Sequence, residues 1–478
     1  MNPSLVWFRN DLRLDDNPAL QAAIDRGSPV IPVFILSKTD EGSWKSGEAS
    51  EWWLHQSLAS LDASLRSLGS RLILRKGPSA TVLHELLREL GADAVFWNRR
   101  YEPAVRETDT KVRDSLQQAG ITTSDFNSQL IFEPWDIATK EGRPYQVFTP
   151  FWRACLQKGL SSKVIPVPRK LPSPKAWPDS APLASFQLEP TRDWGDGFKA
   201  YWSPGCQGAQ QRLKEFLQQA VTQYSVDRDH PAVVGTSRLS PHLHFGEISP
   251  RTIWYAVQQL TGSAGDHTGA ETYLKEIGWR EFAHHLLYHF PQTTDHPLRS
   301  EFANFPWEDN EPGLKAWQRG RTGYPIVDAG MRELWKTGWM HNRVRMIVAS
   351  FLVKDLRLHW GHGARWFWNT LVDADLASNT LGWQWSAGCG ADAAPYFRVF
   401  NPVLQSQKFD PEGEYLARWL PELASLPPKW IHAPWTAPSE VLRFAGVSLG
   451  KTYPRPIVNH DEARDLALNA FQKIKRRD

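Results

Sequence analysis

Cysteine and long hydrophobic runs are scarce in this chain of 478 residues. Its three cysteines, Cys155, Cys206 and Cys389, lie far apart, which argues against a disulfide framework and against a cysteine metal cluster. The longest apolar stretches, 30–36 and 346–353, are far shorter than the roughly 20 residues that a membrane helix needs. The N-terminus also lacks the hydrophobic region of a signal peptide. We therefore expect a cytoplasmic protein that contacts no membrane. We also expect it to act as a monomer.

Familiar catalytic motifs are also missing. The chain has no Gly-x-Ser-x-Gly elbow and no evident Cys/His nucleophile pair. The segment 446–452 is one residue short of a phosphate-binding P-loop, and 388–393 matches G-x-G-x-x-A but does not follow an apolar strand. His285 and His289 have the spacing of zinc ligands, but no nearby acid completes a site. The sequence therefore predicts no metal site and no conventional hydrolytic chemistry.

Positive charge and tryptophan are the features present in excess. Residues 315–365 contain ten Lys or Arg against three Asp or Glu, although the net charge of the whole chain is only +3. Such a basic stretch is typical of a phosphate-binding face, and a solvated helix surface is the alternative. The 24 tryptophans outnumber the 22 phenylalanines and the 11 tyrosines. Because tryptophan stacks on bases and is readily oxidised, this excess points to more than core packing.

Short apolar runs alternate with amphipathic stretches over residues 1–130. The pattern predicts strands at 5–8, 30–36, 71–74 and 94–97 and helices at 52–68, 82–90 and 102–118, with a further helix beginning at Asn17-Pro18. Strand–helix alternation implies a parallel sheet. We predict an α/β plus all-α protein: a Rossmann-like N-terminal domain (1–130), a connector rich in proline (131–205) and a helical C-terminal domain (206–478).

Two predicted helices combine large flat rings with hydrogen-bonding groups. On a helix over 273–287, one face carries Glu276, Trp279 and Arg280. On a second helix over 328–356, one stripe consists of Trp339, Asn342, Arg345 and Met346. A planar heterocycle suits such stripes, since its ring stacks on tryptophan while its polar edge meets Glu and Asn. A helix–helix core is the alternative, although cores seldom combine these polar groups.

Two further clusters are candidates for ligand contacts. Residues 236–240, Thr-Ser-Arg-Leu-Ser, supply three hydroxyl groups and a guanidinium that suit a diphosphate, with a helix N-cap as the alternative. Asp373 and Asp375 suit ribose, arginine or a heterocycle N–H, with two solvated carboxylates as the alternative.

Several separate blocks resemble the photolyase/cryptochrome flavoproteins, and cyclobutane pyrimidine dimer photolyases in particular. The blocks are Trp7-Phe-Arg-Asn-Asp-Leu-Arg13, Gly320-Arg-Thr-Gly-Tyr-Pro325, Trp339-Met-His-Asn-Arg-Val-Arg-Met346, Asp373-Ala-Asp375, Asn379, Trp383-Gln-Trp385 and Tyr453-Pro-Arg-Pro-Ile-Val458. This resemblance implies a DNA repair enzyme in which photoexcited reduced FAD passes one electron to the dimer. A cryptochrome-type blue-light receptor without repair activity is the alternative.

The resemblance also implies an FAD site in the helical domain. Its contacts would come from Tyr224, Thr236, Ser237, Arg238, Leu239, Ser240, Arg280, Trp339, Arg345, Asp373, Asp375 and Asn379. Within this set, Arg345 and Asp373 would form an ion pair, Asp375 would meet the pyrimidine edge and Asn379 would face flavin N5. The chain has Tyr273 where members of the family often have tryptophan.

The remaining implied sites concern damaged DNA and electron transfer. A flipped pyrimidine dimer would contact the catalytic group Glu276, Asn342, Trp279, Met346 and Trp385, with Asn379 at the flavin. DNA phosphates would be bound by Arg228, Arg343 and Arg398. Photoreduction of the flavin would use the tryptophans Trp383, Trp360 and Trp307. A (6-4) photolyase would carry a histidine pair where this chain has His341-Asn342, and a DASH-type enzyme also fits Asn342 and Met346 less well.

An antenna chromophore is the last implied group, either methenyltetrahydrofolate or 8-hydroxy-5-deazaflavin. The segment around Tyr101 lacks the amide–acid pair of the best-known folate site. Trp44 and Glu48 are alternative folate contacts, and a helix start with an acidic first turn explains Glu48 equally well. The sequence leaves the choice between the two chromophores open.

Overall fold

Five strands and 21 α-helices make up the computed structural model, which describes residues 2–160, 163–190, 194–261, 267–393 and 397–475. The strands are β1 (Ser4–Phe8), β2 (Val30–Leu36), β3 (Ile73–Lys76), β4 (Ala94–Asn98) and β5 (Thr122–Phe126). The helices are α1 (Pro18–Asp25), α2 (Glu48–Ser67), α3 (Ser79–Leu90), α4 (Pro103–Gln118), α5 (Phe148–Lys158), α6 (Trp194–Lys199), α7 (Cys206–Gln219), α8 (Tyr224–Asp227), α9 (Ser240–His244), α10 (Pro250–Thr261), α11 (Thr268–His289), α12 (Glu311–Gln318), α13 (Pro325–Thr337), α14 (Asn342–Ser350), α15 (Trp360–Thr370), α16 (Leu376–Ala387), α17 (Pro402–Phe409), α18 (Glu414–Trp419), α19 (Pro428–Ile431), α20 (Ser439–Phe444) and α21 (His460–Lys475).

The five strands form one parallel sheet in the order β3-β2-β1-β4-β5. β1 is buried along its whole length, and Leu5 pairs in register with Ile31 of β2 and Val95 of β4. A parallel sheet needs helices on its faces, so its central strands read as continuous apolar runs. The predicted α/β plus helical fold class is confirmed.

The strand predictions succeeded for the three central strands, were shifted for the edge strand β3 and missed the other edge strand, β5. β3 lies two residues later than predicted, and β5, whose sequence is Thr-Thr-Ser-Asp-Phe, was not predicted. β5 pairs only with β4 in this sheet and none of its residues is fully buried, so it lacks the apolar signature of the central strands. The start of α1 is confirmed, since the Asn17 side chain accepts a hydrogen bond from Leu20 N at 3.1 Å and Pro18 begins the helix.

The described residues divide into two compact units. The first unit comprises 1–222, 237–291 and 372–377, and the second comprises 223–236, 292–371 and 378–478. The first unit contains the sheet, whereas the second is built almost entirely of helices. The linear division at 130 and 205 stays a prediction. No helix among the described residues is both long and apolar enough to cross a membrane.

The helix predicted over 328–356 is wrong, because the chain breaks it at Gly338. α13 ends at Thr337, and Gly338 adopts a left-handed conformation with φ 67° while its N–H bonds to Leu334 O. α14 begins at Asn342, and its N-cap is His341, whose side chain accepts a hydrogen bond from Arg343 N at 3.2 Å. Glycine is the residue that most readily adopts positive φ, so Gly338 ends α13 as a C-cap. Trp339 therefore lies in the break and does not share a helical stripe with Asn342, Arg345 and Met346.

Candidate functional site

α11 of the first unit carries the predicted group Glu276, Trp279 and Arg280 on one face. The indole of Trp279 stacks on Phe148 of α5, with ring centroids 3.8 Å apart and an interplanar angle of 10°. Glu276 is only partly buried. The sequence predicted a connector in the region of Phe148, and it did not identify this ring as the support for Trp279.

Arg280 is partly buried, and its Nη2 lies among buried polar atoms that lack a protein partner. Its Nη1 donates to Gln129 O at 2.8 Å, while its Nη2 and both side-chain polar atoms of Gln129 have no hydrogen-bond partner among the described residues. An unsatisfied buried donor costs about 1–3 kcal/mol. Such groups are normally satisfied by water, an ion or a bound molecule, so they fit a polar cofactor with acceptor atoms.

Asp373 and Asp375 are buried in the first unit, which overturns the alternative of two solvated carboxylates. Ser240 Oγ donates to Asp373 Oδ2 at 2.6 Å. Asp375 Oδ2 lies 3.4 Å from His284 Nε2 and 3.8 Å from His244 Nδ1. Burial alone would raise the pKa of Asp375, but the two imidazoles outweigh it and hold that pKa well below its usual range. The site therefore keeps a buried negative charge that suits an N–H donor of a heterocycle.

Four residues of the hydroxyl cluster, 237–240, lie in the first unit, where Ser240 contacts Asp373; Thr236 belongs to the second unit. Tyr273 of α11 is buried, and its hydroxyl donates to Ser237 Oγ at 3.0 Å. Arg238 has a positive φ of 50°, an uncommon conformation for a residue with a side chain. Burial raises the pKa of the Tyr273 phenol. Because the phenol stays protonated, Tyr273 supports Ser237 as a donor, a contact that a tryptophan at this position would not make in the same way.

In the second unit, the chain around the Gly338 break positions three predicted residues. The Arg345 guanidinium lies 5.8 Å from the centre of the Trp339 ring, and its Nε donates to Met340 O at 2.8 Å. Asn342 is exposed at the first position of α14. The predicted Arg345–Asp373 ion pair stays a prediction.

A pocket in the second unit brings together three residues predicted for the lesion and for DNA. It is lined by Met346, Trp385 and Arg398 together with Arg299, Ser350, Lys354, Ser386, Gly388, Phe397, Phe400 and Phe471. We call it the aromatic–cationic pocket, because its described lining contains two arginines, one lysine and four aromatic rings and no Asp or Glu. Positively charged grooves with aromatic rings are typical of single-stranded nucleic-acid sites.

Lys354 is a component of this pocket that the sequence interpretation missed. Its side chain is almost fully buried; Nζ donates to Ala387 O at 2.9 Å and lies 2.9 Å from the centre of the Phe397 ring. Burial lowers the pKa of the Lys354 ammonium well below its usual value. The available signal was a lysine directly after the apolar stretch 346–353, which marks a buried basic group.

The predicted electron-transfer tryptophans all lie in the second unit. Trp383 and Trp360 are each 2% exposed, whereas Trp307 is partly exposed. Trp383 packs against Gly363 of α15 and contacts Phe367 at a centroid distance of 5.0 Å. In the same unit, Asn379 Nδ2 donates to Ala364 O at 3.1 Å, which fixes the orientation of its amide.

The phosphate-binding arginines of the prediction also lie in the second unit, with different surroundings. Arg343 Nη2 bonds to Asp229 Oδ1 at 2.5 Å, and Arg228 lies 5.5 Å from the Tyr224 ring. Arg398 is exposed at the edge of the aromatic–cationic pocket.

A second pocket lies in the first unit at the carboxyl ends of β1, β2 and β4. Its lining includes residues that follow each of the three strands, namely Arg9 and Asn10, Ser37 and Lys38, and Arg100. We call it the sheet-edge pocket, and ligands of doubly wound sheets bind at this kind of edge. Trp44 and Glu48 are not in its lining, whereas their neighbours Glu41, Ser46 and Glu51 are.

The histidine pair of α11 has a structural explanation. His285 Nδ1 and His289 Nε2 lie 3.0 Å and 3.1 Å from the same carbonyl oxygen, that of Pro134. Burial lowers the pKa of His285 to about 4, so its imidazole is neutral at physiological pH. Across the described ranges, no group of three or more His, Cys, Asp or Glu side chains is arranged to hold a metal ion.

Comparison with known proteins gives matches along nearly the whole chain. Residues 4–175 match the family model of DNA photolyase, and residues 273–473 match that of the FAD binding domain of DNA photolyase. The deoxyribodipyrimidine photo-lyase of Agrobacterium fabrum is 50% identical over 475 residues, which cover 99% of this chain and 98% of that protein. Cryptochrome-1 of Arabidopsis thaliana is 43% identical over 480 residues, 98% of this chain and 70% of the relative. The crystal structure of a bacterial class III photolyase from Agrobacterium tumefaciens aligns with a TM-score of 0.96 at 50% identity, covering 100% of this chain and 98% of that one.

Proposed function

Because this chain belongs to the photolyase/cryptochrome family and carries its FAD-binding domain, we propose that it is a light-driven DNA repair enzyme for cyclobutane pyrimidine dimers. The observation that carries this function is the aromatic–cationic pocket, where Met346, Trp385 and Arg398 lie together without a carboxylate among the described lining residues. Such a lining suits a stacked base and a phosphate at once.

The residues that the family resemblance assigns to FAD are found in each of the two units. Tyr224, Thr236, Trp339, Arg345 and Asn379 belong to the second unit, and the other predicted contacts to the first. Arg280 Nη2 has no acceptor within the part of the chain that the structure describes, and Asp375 keeps a negative charge, so these groups match a phosphate oxygen and the N–H of the pyrimidine edge, respectively. When bound and fully reduced, FAD would supply the light-driven one-electron chemistry that splits the dimer.

The residues of the chain hold the dimer and stabilise its added charge. Trp279 offers a ring that Phe148 already fixes, so little conformational entropy is lost when a base stacks on it. In its carboxylic acid form Glu276 would donate a hydrogen bond to a dimer carbonyl, a bond that strengthens as the carbonyl gains negative charge. Asn342 and Met346, both on α14, would contact the polar edge and the apolar face of the dimer. Trp385 supplies the second ring.

DNA is held by arginines of the second unit. Arg398 is exposed at the edge of the aromatic–cationic pocket, where a phosphate beside the flipped dimer would lie. Arg343 and Arg228 bind further phosphates, and the bond of Arg343 to Asp229 orients its guanidinium. Extrusion of a damaged pair costs less than that of an intact pair, which favours the lesion.

The test is the loss of dimers from an oligonucleotide with one thymine dimer, using protein reduced with dithionite, under blue light and in the dark. We expect the two thymines to be restored only in the light. Glu276→Gln should lower the repair yield, while Glu271→Gln, an exposed acid on the same helix, should leave it unchanged. Flavin binding without repair in light or dark would overturn the proposal and favour the blue-light receptor, which the likeness to cryptochrome-1 supports.

We further propose that the sheet-edge pocket binds the antenna chromophore and that the protein is a cytoplasmic monomer. The pocket lies at the carboxyl ends of three strands, where ligands of doubly wound sheets bind, and its lining offers basic groups (Arg9, Lys38, Arg100) and carboxylates (Asp40, Glu41, Glu51, Asp109) that suit the polar edge of either the folate or the deazaflavin. All three cysteines are free thiols, which suits a reducing compartment. Near-ultraviolet absorption of the purified protein distinguishes the two chromophores, and light scattering measures the mass in solution.

A further inference from the structure

His359 lies between the two outer tryptophans of the predicted electron-transfer chain. Its ring centroid is 5.2 Å from that of Trp307, with an interplanar angle of 76°, and 5.2 Å from that of Trp360, with an angle of 31°. All three residues belong to the second unit. The sequence interpretation gave His359 no role.

The backbone fixes this arrangement. Glu308 and Leu358 form a parallel β-bridge, and Glu308 N donates to Arg357 O at 2.8 Å. Trp307 directly precedes Glu308, and His359 directly follows Leu358, so the bridge brings the two rings together. His359 is also the N-cap of α15, whose first residue is Trp360.

The hydrogen bonding of His359 favours its neutral form. Nδ1 accepts a hydrogen bond from Gly361 N at 3.0 Å, so the neutral ring carries its proton on Nε2. Protonation of Nδ1 would break this cap and place a cation at a helix N-terminus, where the macrodipole disfavours it. Burial, followed by the neighbouring His362, lowers the pKa of His359.

The charged groups around His359 are few. His362 and Arg365 lie on the same helix, and Arg365 is paired with Asp295 at 3.1 Å. Glu308 and Arg357, on the two bridged segments, form an ion pair with each other. The neighbouring α12 contributes Leu314 and Gln318, which are uncharged. Among these groups, each carboxylate is already paired with an arginine, so none is left to stabilise a protonated His359.

We propose that His359 is a positioning residue of the electron-donating chain: as a neutral ring it fixes Trp307 against Trp360, and its protonation slows electron transfer from Trp307. This inference rests on the proposed function, because it assumes that the chain reduces the photoexcited flavin. One electron moves inward from Trp307 through Trp360 and Trp383, which leaves a radical cation on Trp307. An added thiol reductant returns one electron to Trp307 and is itself oxidised. A positive charge about 5 Å from both rings opposes formation of that radical cation.

The test compares the rate of flavin photoreduction in the FAD-loaded protein between pH 8 and pH 4.5, with a thiol reductant present. Because the pKa of His359 is lowered, we expect the wild-type rate to stay constant near neutral pH and to fall, by up to about tenfold, at the acid end of this range as His359 takes up a proton. His359→Asn keeps an N-cap acceptor but lacks the ring and the titration. Photoreduction in His359→Asn should be slower than in the wild type at pH 8, and its rate should not depend on pH over this range. His362→Asn, a change at an exposed neighbour, should match the wild-type rate at pH 8.

Two further readouts separate this role from a merely structural one. Nitrogen-15 NMR of histidine-labelled protein should show the Nε2–H tautomer for His359 and its protonation over the pH range in which photoreduction slows. Repair by dithionite-reduced His359→Asn should equal that of the wild type, because chemical reduction bypasses the chain. The same pH profile in the wild type and in His359→Asn would overturn the inference. Absence of repair in reduced wild-type protein would instead overturn the proposed function.

Discussion

Gly363 of α15 is the position where a single methyl group should test the packing of the innermost tryptophan. An alanine Cβ at this position would lie 2.0 Å from Cη2, 2.4 Å from Cζ3 and 2.5 Å from Cζ2 of Trp383. Carbon atoms pack at about 3.5–4.0 Å, so the ring would have to move by about 1.5 Å. Trp317 and Phe367 surround the same ring at centroid distances of 6.1 Å and 5.0 Å, which restricts that movement.

The expected cost of Gly363→Ala follows from two opposing effects. Overpacking of a filled core costs typically 1–3 kcal/mol, and the short contacts place this site near 3 kcal/mol. Alanine in place of glycine within a helix returns about 1 kcal/mol. We therefore expect a net loss of about 2 kcal/mol, which lowers the Tm of a unit of this size by about 4–8 °C. Photoreduction of the flavin should slow in the same variant, because Trp383 is displaced.

The assay is thermal unfolding of the FAD-loaded protein at a fixed excess of flavin, since free ligand shifts the apparent Tm. Trp383→Phe supplies the matched control, because phenylalanine lacks the outer carbons that the new methyl group would meet. The double variant should therefore recover about 1–3 kcal/mol relative to the sum of the two single variants. Additive effects, or a Gly363→Ala variant that is as stable as the wild type, would refute the reasoning.

Two other predictions concern charge. Because the pKa of Asp375 is lowered in the folded state, its ionised form stabilises the protein above about pH 4, and this contribution is lost as the pH falls through the folded-state pKa. Asp375→Asn should therefore make Tm fall less steeply with acid, when Tm is measured from pH 3 to 7. Arg398→Ala should reduce the slope of log K against log salt for duplex DNA binding by about 0.9, the share of one phosphate contact. Arg464→Ala, at an exposed arginine of α21, is the control, and an equal loss of slope in both variants would contradict the assignment of Arg398.

The central strands of the sheet were predictable because burial on both faces leaves a direct mark on their sequence. Val30–Leu36 was predicted with its exact bounds, and its residues are nearly all buried. Thr122–Phe126 was missed because an edge strand forms through backbone hydrogen bonds, which polar residues make as well as apolar ones. The Gly338 break was missed for a different reason: apolar periodicity continues through 328–356, and only the positive φ of one glycine interrupts the helix.

The residue types of the candidate site could be predicted from the sequence, but their packing partners and hydrogen-bond partners could not. Spacing on α11 indicated Glu276, Trp279 and Arg280, whereas the support of Trp279 by Phe148 joins residues more than 100 positions apart. The unsatisfied Nη2 of Arg280 becomes visible only when every neighbouring acceptor has been placed. A buried guanidinium nitrogen with an open donor costs stability in the free protein, and this cost is recovered only when an acceptor binds. Binding of FAD should therefore stabilise the protein by more than the area of its rings accounts for, because it also satisfies donors that folding alone leaves unpaired.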